Sequence, residues 1–325
     1  MKFNVDDLVD KKLVTKKTYT EGPFAGLSVL KYKNNVFWDN LWHTDPRLLE
    51  CRGMVVDADN NVVIWPFTKI FNRFENGTDL SADRLVDAAR KVNGFMASAG
   101  VYKGQLVVST TGTLESEFAV MAKNHIISEC NDIEHFIKWT ANAKATFLFE
   151  ICDPSDPHII AEDAGAYLIG VRIQNPDGTS FMLPEGALDG LANVTKFKRP
   201  VVHQMIKFSD VVEMSKKCQH EGYVVRDPNY PFSLLLKIKS PHYLAKKFLM
   251  RGGDNKWDMI WDNPKEAKKR IDEEYYELLD HIREYYSKDD WAGMDSQKRR
   301  QVVEDYFAIE DMFDRGSRFY VGVPK

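Results

Sequence analysis

Short β-branched and aromatic runs recur through the first two thirds of the chain. "LSVLKY", "CRGMVVDADNNVVIWPF", "QLVVSTTGT", "ATFLFEIC", "AYLIGVRIQ", "GYVVRD" and "FSLLLKIK" are each bounded by turn residues and read as strands. "DADNN" and "NPDG" sit between such runs as hairpin loops. Two stretches carry helical signals instead. "SADRLVDAARK" opens with a serine suited to an N-cap, and "ESEFAVMAKNHIISEC" has apolar residues at helical spacing. Strands and helices do not alternate regularly, so the pattern predicts an α+β fold of antiparallel sheets flanked by helices, not a doubly wound parallel sheet.

From about residue 243 the pattern changes. "EAKKRIDEEYYELLDHIREYYSKDD" and "DSQKRRQVVEDYFAIEDMF" are charged, amphipathic and poor in strand residues, with "RGGDNKW" and "DDWAGMD" as connectors. The expected division is a larger domain over 1–242 and a smaller all-helical domain over 243–325. No internal repeat or low-complexity tract interrupts either.

Composition narrows the class of protein. Of the 325 residues, 44% are hydrophobic and 28% charged, enough for a sizeable core. A formal net charge of −4 argues against a uniformly basic coat, although a local basic groove remains compatible with it. Cys51, Cys130, Cys152 and Cys218 are far apart and form no zinc spacing, so they read as reduced thiols. The charged start "MKFNVDDLVDKKL" and the lack of any long apolar stretch predict a soluble protein with no membrane association. Its expected location is the cytoplasm, that of the host if the source is viral.

Four features carry candidate chemistry. Lys91 precedes Val-Asn-Gly94, where Asn-Gly predicts a hairpin turn. Lys237 and Lys239 stand two apart on a strand and so point to one face, either as a working pair or as guards of an exposed edge. Glu150 closes an apolar run, and Glu221 enters a strand just before a glycine. Together these residues suit attack by an amine on a phosphoryl group. The amine must shed its proton, which two neighbouring cations and a divalent metal would favour. The same cations would stabilise charge on the phosphoryl oxygens, and carboxylates would hold a hydrated metal.

The order Lys91-Val-Asn-Gly94, Glu150, Glu221-Gly222 and Lys237-Ile-Lys239 resembles the motifs of covalent nucleic-acid ligases and capping enzymes. With "LLECRGMVVD", "WPFTKIFNRFEN", "HEGYVV" and "LKIKSPHY", it is most similar to bacteriophage single-strand RNA ligases of the RNA ligase 1 type, over roughly residues 28 to 245. The resemblance implies ATP and Mg2+ (or Mn2+) as cofactors. It implies Lys91 as the nucleophile that forms lysyl-AMP, with Gly94 in the nucleotide site. Arg52 and Lys69 would contact phosphates, Tyr32 the nucleotide, and Phe71 the adenine face. Glu150 would hold the ribose, and Glu221 the metal through water. Lys237 and Lys239 would grip the α-phosphate, and Tyr243 would sit near RNA phosphate or nucleotide.

The implied partner is RNA with 5′-phosphate and 3′-hydroxyl ends, with no obligate protein partner and a possible place in RNA or tRNA repair. Asn93 departs from the commoner Asp, and Thr111 stands where the phage relative carries a lysine. Lys103 in "VYKGQL" is a rival nucleophile without the KxxG spacing. In the helical tail, "KEAKKR" and "QKRRQ" with Tyr275, Tyr276, Tyr285 and Tyr286 read either as an RNA surface or, more simply, as solvated helix faces over core tyrosines. The alternative functions are an inactive RNA-binding module, a DNA ligase and a capping-type guanylyltransferase.

Overall fold

The computed structural model describes residues 1–250 and 255–309. Thirteen strands lie among them: β1 (Val14–Thr18), β2 (Ser28–Tyr32), β3 (Arg52–Val56), β4 (Val62–Ile64), β5 (Leu85–Arg90), β6 (Phe95–Tyr102) and β7 (Gln105–Ser109). They continue as β8 (Ala145–Cys152), β9 (Gly165–Gln174), β10 (Ser180–Met182), β11 (Val202–Lys207), β12 (Gly222–Arg226) and β13 (Leu234–Lys239). They form a four-stranded meander β1-β2-β3-β4, a five-stranded sheet β10-β9-β8-β6-β7 and a four-stranded sheet β11-β5-β12-β13. All strand pairings within these sheets are antiparallel. The expected α+β class is therefore the observed one, and both predicted hairpins, β3–β4 and β9–β10, form.

Each sheet has its own core. Helices Glu117–Glu129, Ile133–Asn142 and Glu185–Thr195 cover the five-stranded sheet around Phe136, Phe147, Phe149 and Phe197. Helix Phe208–Lys217 packs on the third sheet through Phe208 and Val211. The C-terminal helices enclose a separate core around Phe248, Leu278, Leu279, Ile282 and Trp291, joined by Ile160 from the loop after β8.

Two buried arginines staple the sheets together. Arg172 on β9 donates to Glu50 Oε2 (2.9 Å) and the Pro66 carbonyl (2.7 Å), tying the second sheet to the segments around the first. Arg226 on β12 donates to Glu185 Oε1 (2.7 Å) and to the carbonyls of Leu183, Phe232 and Ile169. Arg226 and Glu185 have side chains only 2% exposed, and Arg199 also pairs with Glu185. Desolvation pulls the Arg226 guanidinium down against the attraction of Glu185.

Three local expectations are corrected. The stretch ending at Lys91 is a strand and not a helix. Its Leu, Ala and Arg favour a helix, but Val86 and Ala88 alternate into the core while β11 and β12 take its hydrogen bonds from both sides. The Asn-Gly hairpin is absent, because β5 and β6 belong to different sheets and residues 91–94 cross between them. Neither Asn93 nor Gly94 has a positive φ. "DDWAGMD" contributes to helix Lys288–Gly293, capped by Ser287 and anchored by buried Trp291. Residues 251–254 of the "RGGDNKW" connector and residues 310–325 lie outside the described residues.

No helix among the described residues is long and apolar enough to cross a membrane. None of the four cysteines is paired, and burial pushes the thiols of Cys51 and Cys152 up to about 12.

Removing one partner of a buried ion pair leaves an uncompensated charge. Glu185→Ala, which leaves Arg226 without its carboxylate while Arg199 keeps Asp189, is expected to cost roughly 3–5 kcal/mol. Urea unfolding of wild type and variant, compared by midpoint and slope, checks this.

Candidate active site

The third sheet brings the candidate residues together by register. On β12, Tyr223 lies opposite Arg90 of β5 and Gly222 opposite Lys239 of β13. The Lys91 backbone N–H extends the ladder by donating to the Gly222 carbonyl at 2.8 Å. Lys91, Glu221 and Lys239 are thereby adjacent at one end of the sheet. Gly222 is required there: its φ is +136°, and an added Cβ would lie 1.9 Å from the Ile238 carbonyl oxygen.

Lys91 Nζ lies 3.0 Å from Glu221 Oε2, and the Glu221 side chain is 4% exposed against 22% for Lys91. Glu221 also accepts from Asn93 Nδ2 at 2.7 Å. Asn93 Oδ1 in turn accepts from the Ile160 N–H at 2.8 Å. The amide thus faces a carboxylate with its donor and a peptide N–H with its acceptor. An aspartate could not do both, which accounts for Asn at this position.

Gly94 donates its N–H to Glu150 Oε1 at 3.0 Å. An added Cβ on Gly94 would stand 2.1 Å from the Ile151 carbonyl oxygen, so the chain passes β8 here only without a side chain. Burial raises the Glu150 carboxyl, with Glu221 adding to the effect and Lys91 opposing it. Desolvation pulls the Lys91 amine down, yet the charges of Glu221 and Glu150 and the hydrogen bond to Glu221 outweigh it and raise the amine. Without a metal, then, the carboxylates and not the neighbouring cations set the Lys91 amine.

The cations gather on Lys237 instead. Burial, followed by the charges of Lys239 and Lys69 with a smaller push from Arg52, brings the Lys237 amine down to about 7, against the attraction of Glu75. Lys237 and Lys239 share the face opposite Leu236 and Ile238, which are core residues. The β13 edge is covered. Lys237 N–H donates to the Phe71 carbonyl and the Lys237 carbonyl accepts from Arg73 N–H, both at 2.9 Å. That pairing rules out the bare guarded edge and carries Lys69 and Phe71 to the same site.

Lys69 Nζ pairs with Glu75 at 3.0 Å and lies 4.6 Å above the Phe71 ring and 5.1 Å from that of Trp42. Trp42 meets both Phe71 and Tyr32 edge to face, and the Tyr32 hydroxyl accepts from Arg52 at 2.9 Å. Tyr243 is buried between the sheet and the helical core, and burial with the charge of Glu221 pushes its hydroxyl up to about 12.

Lys103 is elsewhere. With Gly104 it forms the tight β6–β7 turn, both at positive φ, and its amine lies 5.0 Å from the Tyr102 ring. A wide groove of about 500 Å3 lined by Glu115, Glu117, His125 and Asp153 contains none of the candidate residues.

Sequence reasoning missed Lys31, Glu75, Glu162 and Glu274. The Lys31 side chain covers Gly112, next to Thr111, with its Cδ 3.3 Å from where a Cβ would be. Glu162 binds Arg90 at 2.6 Å and the Asn93 N–H at 3.3 Å. Glu274 binds Lys239 from the helical tail. Lys31, Glu162 and Glu274 have partners remote in sequence and so no local signal, whereas Glu75 binds nearby Lys69 and Asn72. On the tail, Lys268–Asp280, Arg270–Glu266 and Arg300–Glu304 are ion-paired and Tyr275 is core, which favours the solvated-face reading.

Asn93→Asp would set a second carboxylate against Glu221. The pair's protonation would be raised in the folded state, so stability is lost as pH rises through that raised pKa and regained below it. The expected loss is roughly 1–3 kcal/mol near pH 8, shrinking toward pH 5. Thermal unfolding of both proteins across that range checks it, and a pH-independent difference would contradict the pairing.

Comparisons with known proteins bear on the family and the fold. The family model described as RNA ligase, of the T4 RNA ligase 1 type, matches residues 50–243. No curated protein sequence gives a match. The fold is similar to that of an archaeal ATP-dependent RNA ligase, form 1. That structure has a TM-score of 0.57 at 14% identity, covering 96% of this chain and 78% of the other. Form 2 gives 0.55 at 14%, covering 92% and 75%. A putative ATP-dependent DNA ligase from Aquifex aeolicus gives 0.56 at 16%, covering 95% and 79%. These solved structures share the fold. The family match spans more than half of the chain, from the segment before β3 to Tyr243, and the chain belongs to the RNA ligase family of the T4 RNA ligase 1 type.

Proposed function

We propose that the protein joins RNA ends at the expense of ATP through a lysyl-AMP intermediate. The observation that carries this reading is the convergence of Lys91, Glu221, Glu150 and the Lys237–Lys239 pair, within a chain of the RNA ligase family. Residues 1–242 would form the adenylyltransferase unit and 243–325 an appendage, helical in its described residues.

In the first step the Lys91 amine attacks the α-phosphorus. A P–N bond forms, the bond to pyrophosphate breaks, and the ammonium proton is given up. An RNA 5′-phosphate oxygen then attacks the same phosphorus and lysine leaves. Finally a 3′-hydroxyl attacks the 5′-phosphorus and AMP departs. Each step is a displacement at phosphorus, so placement and cations supply most of the acceleration.

Arg52 and Lys69 would hold phosphates, Tyr32 and Phe71 the base, and Glu150 the ribose. Lys237 and Lys239 would grip the α-phosphate, and Tyr243 would border the RNA. Among the described residues, no three His, Cys, Asp or Glu side chains cluster into a metal cage. Glu221 and Glu150 offer hard oxygens, a sparse set that suits a magnesium or manganese ion keeping most of its water. Bound beside Glu221, such an ion would offset the carboxylate charge that now holds the Lys91 proton.

Two outcomes test the reading. Denatured wild-type protein is expected to retain label from ATP labelled at the α-phosphate, whereas Lys91→Ala retains none. Label from GTP alone would indicate a capping enzyme, and label on Lys91→Ala would exclude this nucleophile.

The second concerns Lys237, whose amine near 7 is mostly neutral at about pH 8. A bound polyphosphate raises that pKa, so binding should take up a proton near pH 8 and almost none near pH 6. Calorimetry in buffers of different ionisation enthalpy reads the uptake, which Lys237→Met should remove.

A further inference from the structure

Glu274 lies in the short turn Glu273–Tyr275 of the helical tail, yet its carboxylate is buried against β13. Lys239 Nζ is 2.9 and 2.6 Å from its two oxygens, and Lys247 Nζ is 3.0 Å from Oε1. Lys247 also pairs with Asp272. The Tyr243 ring is 6.0 Å from both ammonium groups. Burial opposes the charge on Glu274, but the two ammoniums overcome it and carry the carboxyl down to about 2. The pair of oxygens is thus bound as an anion by two converging cations, one of them a lysine assigned above to phosphate.

The cleft beside this cluster is lined by Arg73, Lys237, Lys239, Pro241, Leu244 and Glu274. With both Glu274 oxygens on Lys239 Nζ and one of them also on Lys247 Nζ, an incoming phosphate competes with that carboxylate for the same ammonium protons. Lys237 alone of the three lysines has no carboxylate within 4.0 Å among the described residues.

We propose that Lys239 and Lys247 form a two-ammonium phosphate seat for the polyphosphate of the nucleotide or for pyrophosphate, and that Glu274 fills it when no ligand is bound. This deepens the ligase reading, on which the role of Lys239 rests. It adds Lys247 to the phosphate-binding groups and makes Glu274 a positioning residue of the tail, one that holds both lysines in place and must withdraw before phosphate enters. Asp272 remains as a second, half-exposed partner for Lys247.

The test is calorimetric binding of inorganic pyrophosphate with magnesium to the full chain, which requires no catalysis. If Glu274 occupies the seat about nine-tenths of the time, Glu274→Gln tightens binding by about tenfold. Lys247→Met in the Glu274→Gln background is expected to weaken binding again, because the seat has lost a cation. Asp272→Asn should stay within about twofold of wild type, since the seat itself is untouched.

Unchanged or weaker binding by a Glu274→Gln protein that melts like wild type would overturn the proposal and leave Glu274 as a clamp. Equal affinity of the double and single variants would remove Lys247 from the seat. Should Glu274→Gln fail to fold, Glu274→Asp decides: its withdrawn carboxylate must also tighten binding, and no tightening refutes the seat. Label transfer from ATP to the wild-type protein is measured separately. Tighter pyrophosphate binding without label keeps the seat and rejects the ligase reading, while label without tightening does the reverse.

Discussion

The antiparallel pairing of β12 with β5 on one side and β13 on the other is the constraint from which the site follows. Lys91, Glu221 and Lys239 are distant in sequence, but the ladder sets Gly222 between the last two and docks the Lys91 N–H on its carbonyl. Side chains in such a ladder repeat every two residues, so a slip of one would turn Lys237 and Lys239 into the core and Leu236 and Ile238 out of it. Register is therefore protected by hydrophobic burial. The geometry of the candidate site inherits that protection in addition to its own contacts, such as Lys91–Glu221 and Asn93–Glu221. The buried Arg226–Glu185 pair then fixes this sheet against the second, which carries Glu150.

Charge is sorted across this small region. Carboxylates surround Lys91, whereas the cations surround Lys237. In the ligand-free protein Lys91 is therefore favoured as an ammonium. Lys239, Lys69 and Arg52 crowd Lys237 with positive charge. An arriving polyanion relieves the repulsion around Lys237, and only neutralisation of Glu221 and Glu150 releases Lys91. Under the proposed function, binding and activation would answer to different groups, separating recognition of the nucleotide from attack on it.

Much of the site was legible because its chemistry is local. Lys237 and Lys239 are two apart on a strand, Glu221 precedes a glycine, and Lys91 stands three before Gly94. The errors came where neighbours decide. Residues 81–91 contain good helix formers, and only hydrogen bonds from β11 and β12 make the last part a strand. The helix at Lys288–Gly293 did leave a trace, since Ser287 precedes Asp290 as a capping pair and Trp291 supplies the buried anchor. Glu162 and Glu274 left none, because an exposed and a buried glutamate look alike until the partner is known, while Glu75 has its partners Asn72 and Lys69 close by in sequence. The fold class could be read from the sequence, but the three-sheet division could not. It depends on residues 91–94 crossing between sheets instead of turning back.

The likeness to both RNA and DNA ligases bears on where substrate choice must reside. In the proposed reading the lysines of the sheets meet phosphate, a group that RNA and DNA share. The helical tail, by contrast, has paired off many of its charges, and the chain is acidic overall. A protein of this kind cannot hold RNA by a broad basic coat. In the proposed reading its affinity would come from the few cations in the cleft, and so would depend less steeply on salt than that of a surface making many phosphate contacts. Discrimination between RNA and DNA then falls to shape and to groups that meet the 2′-hydroxyl near the cleft. The tail reaches that place through Tyr243, Lys247 and Glu274.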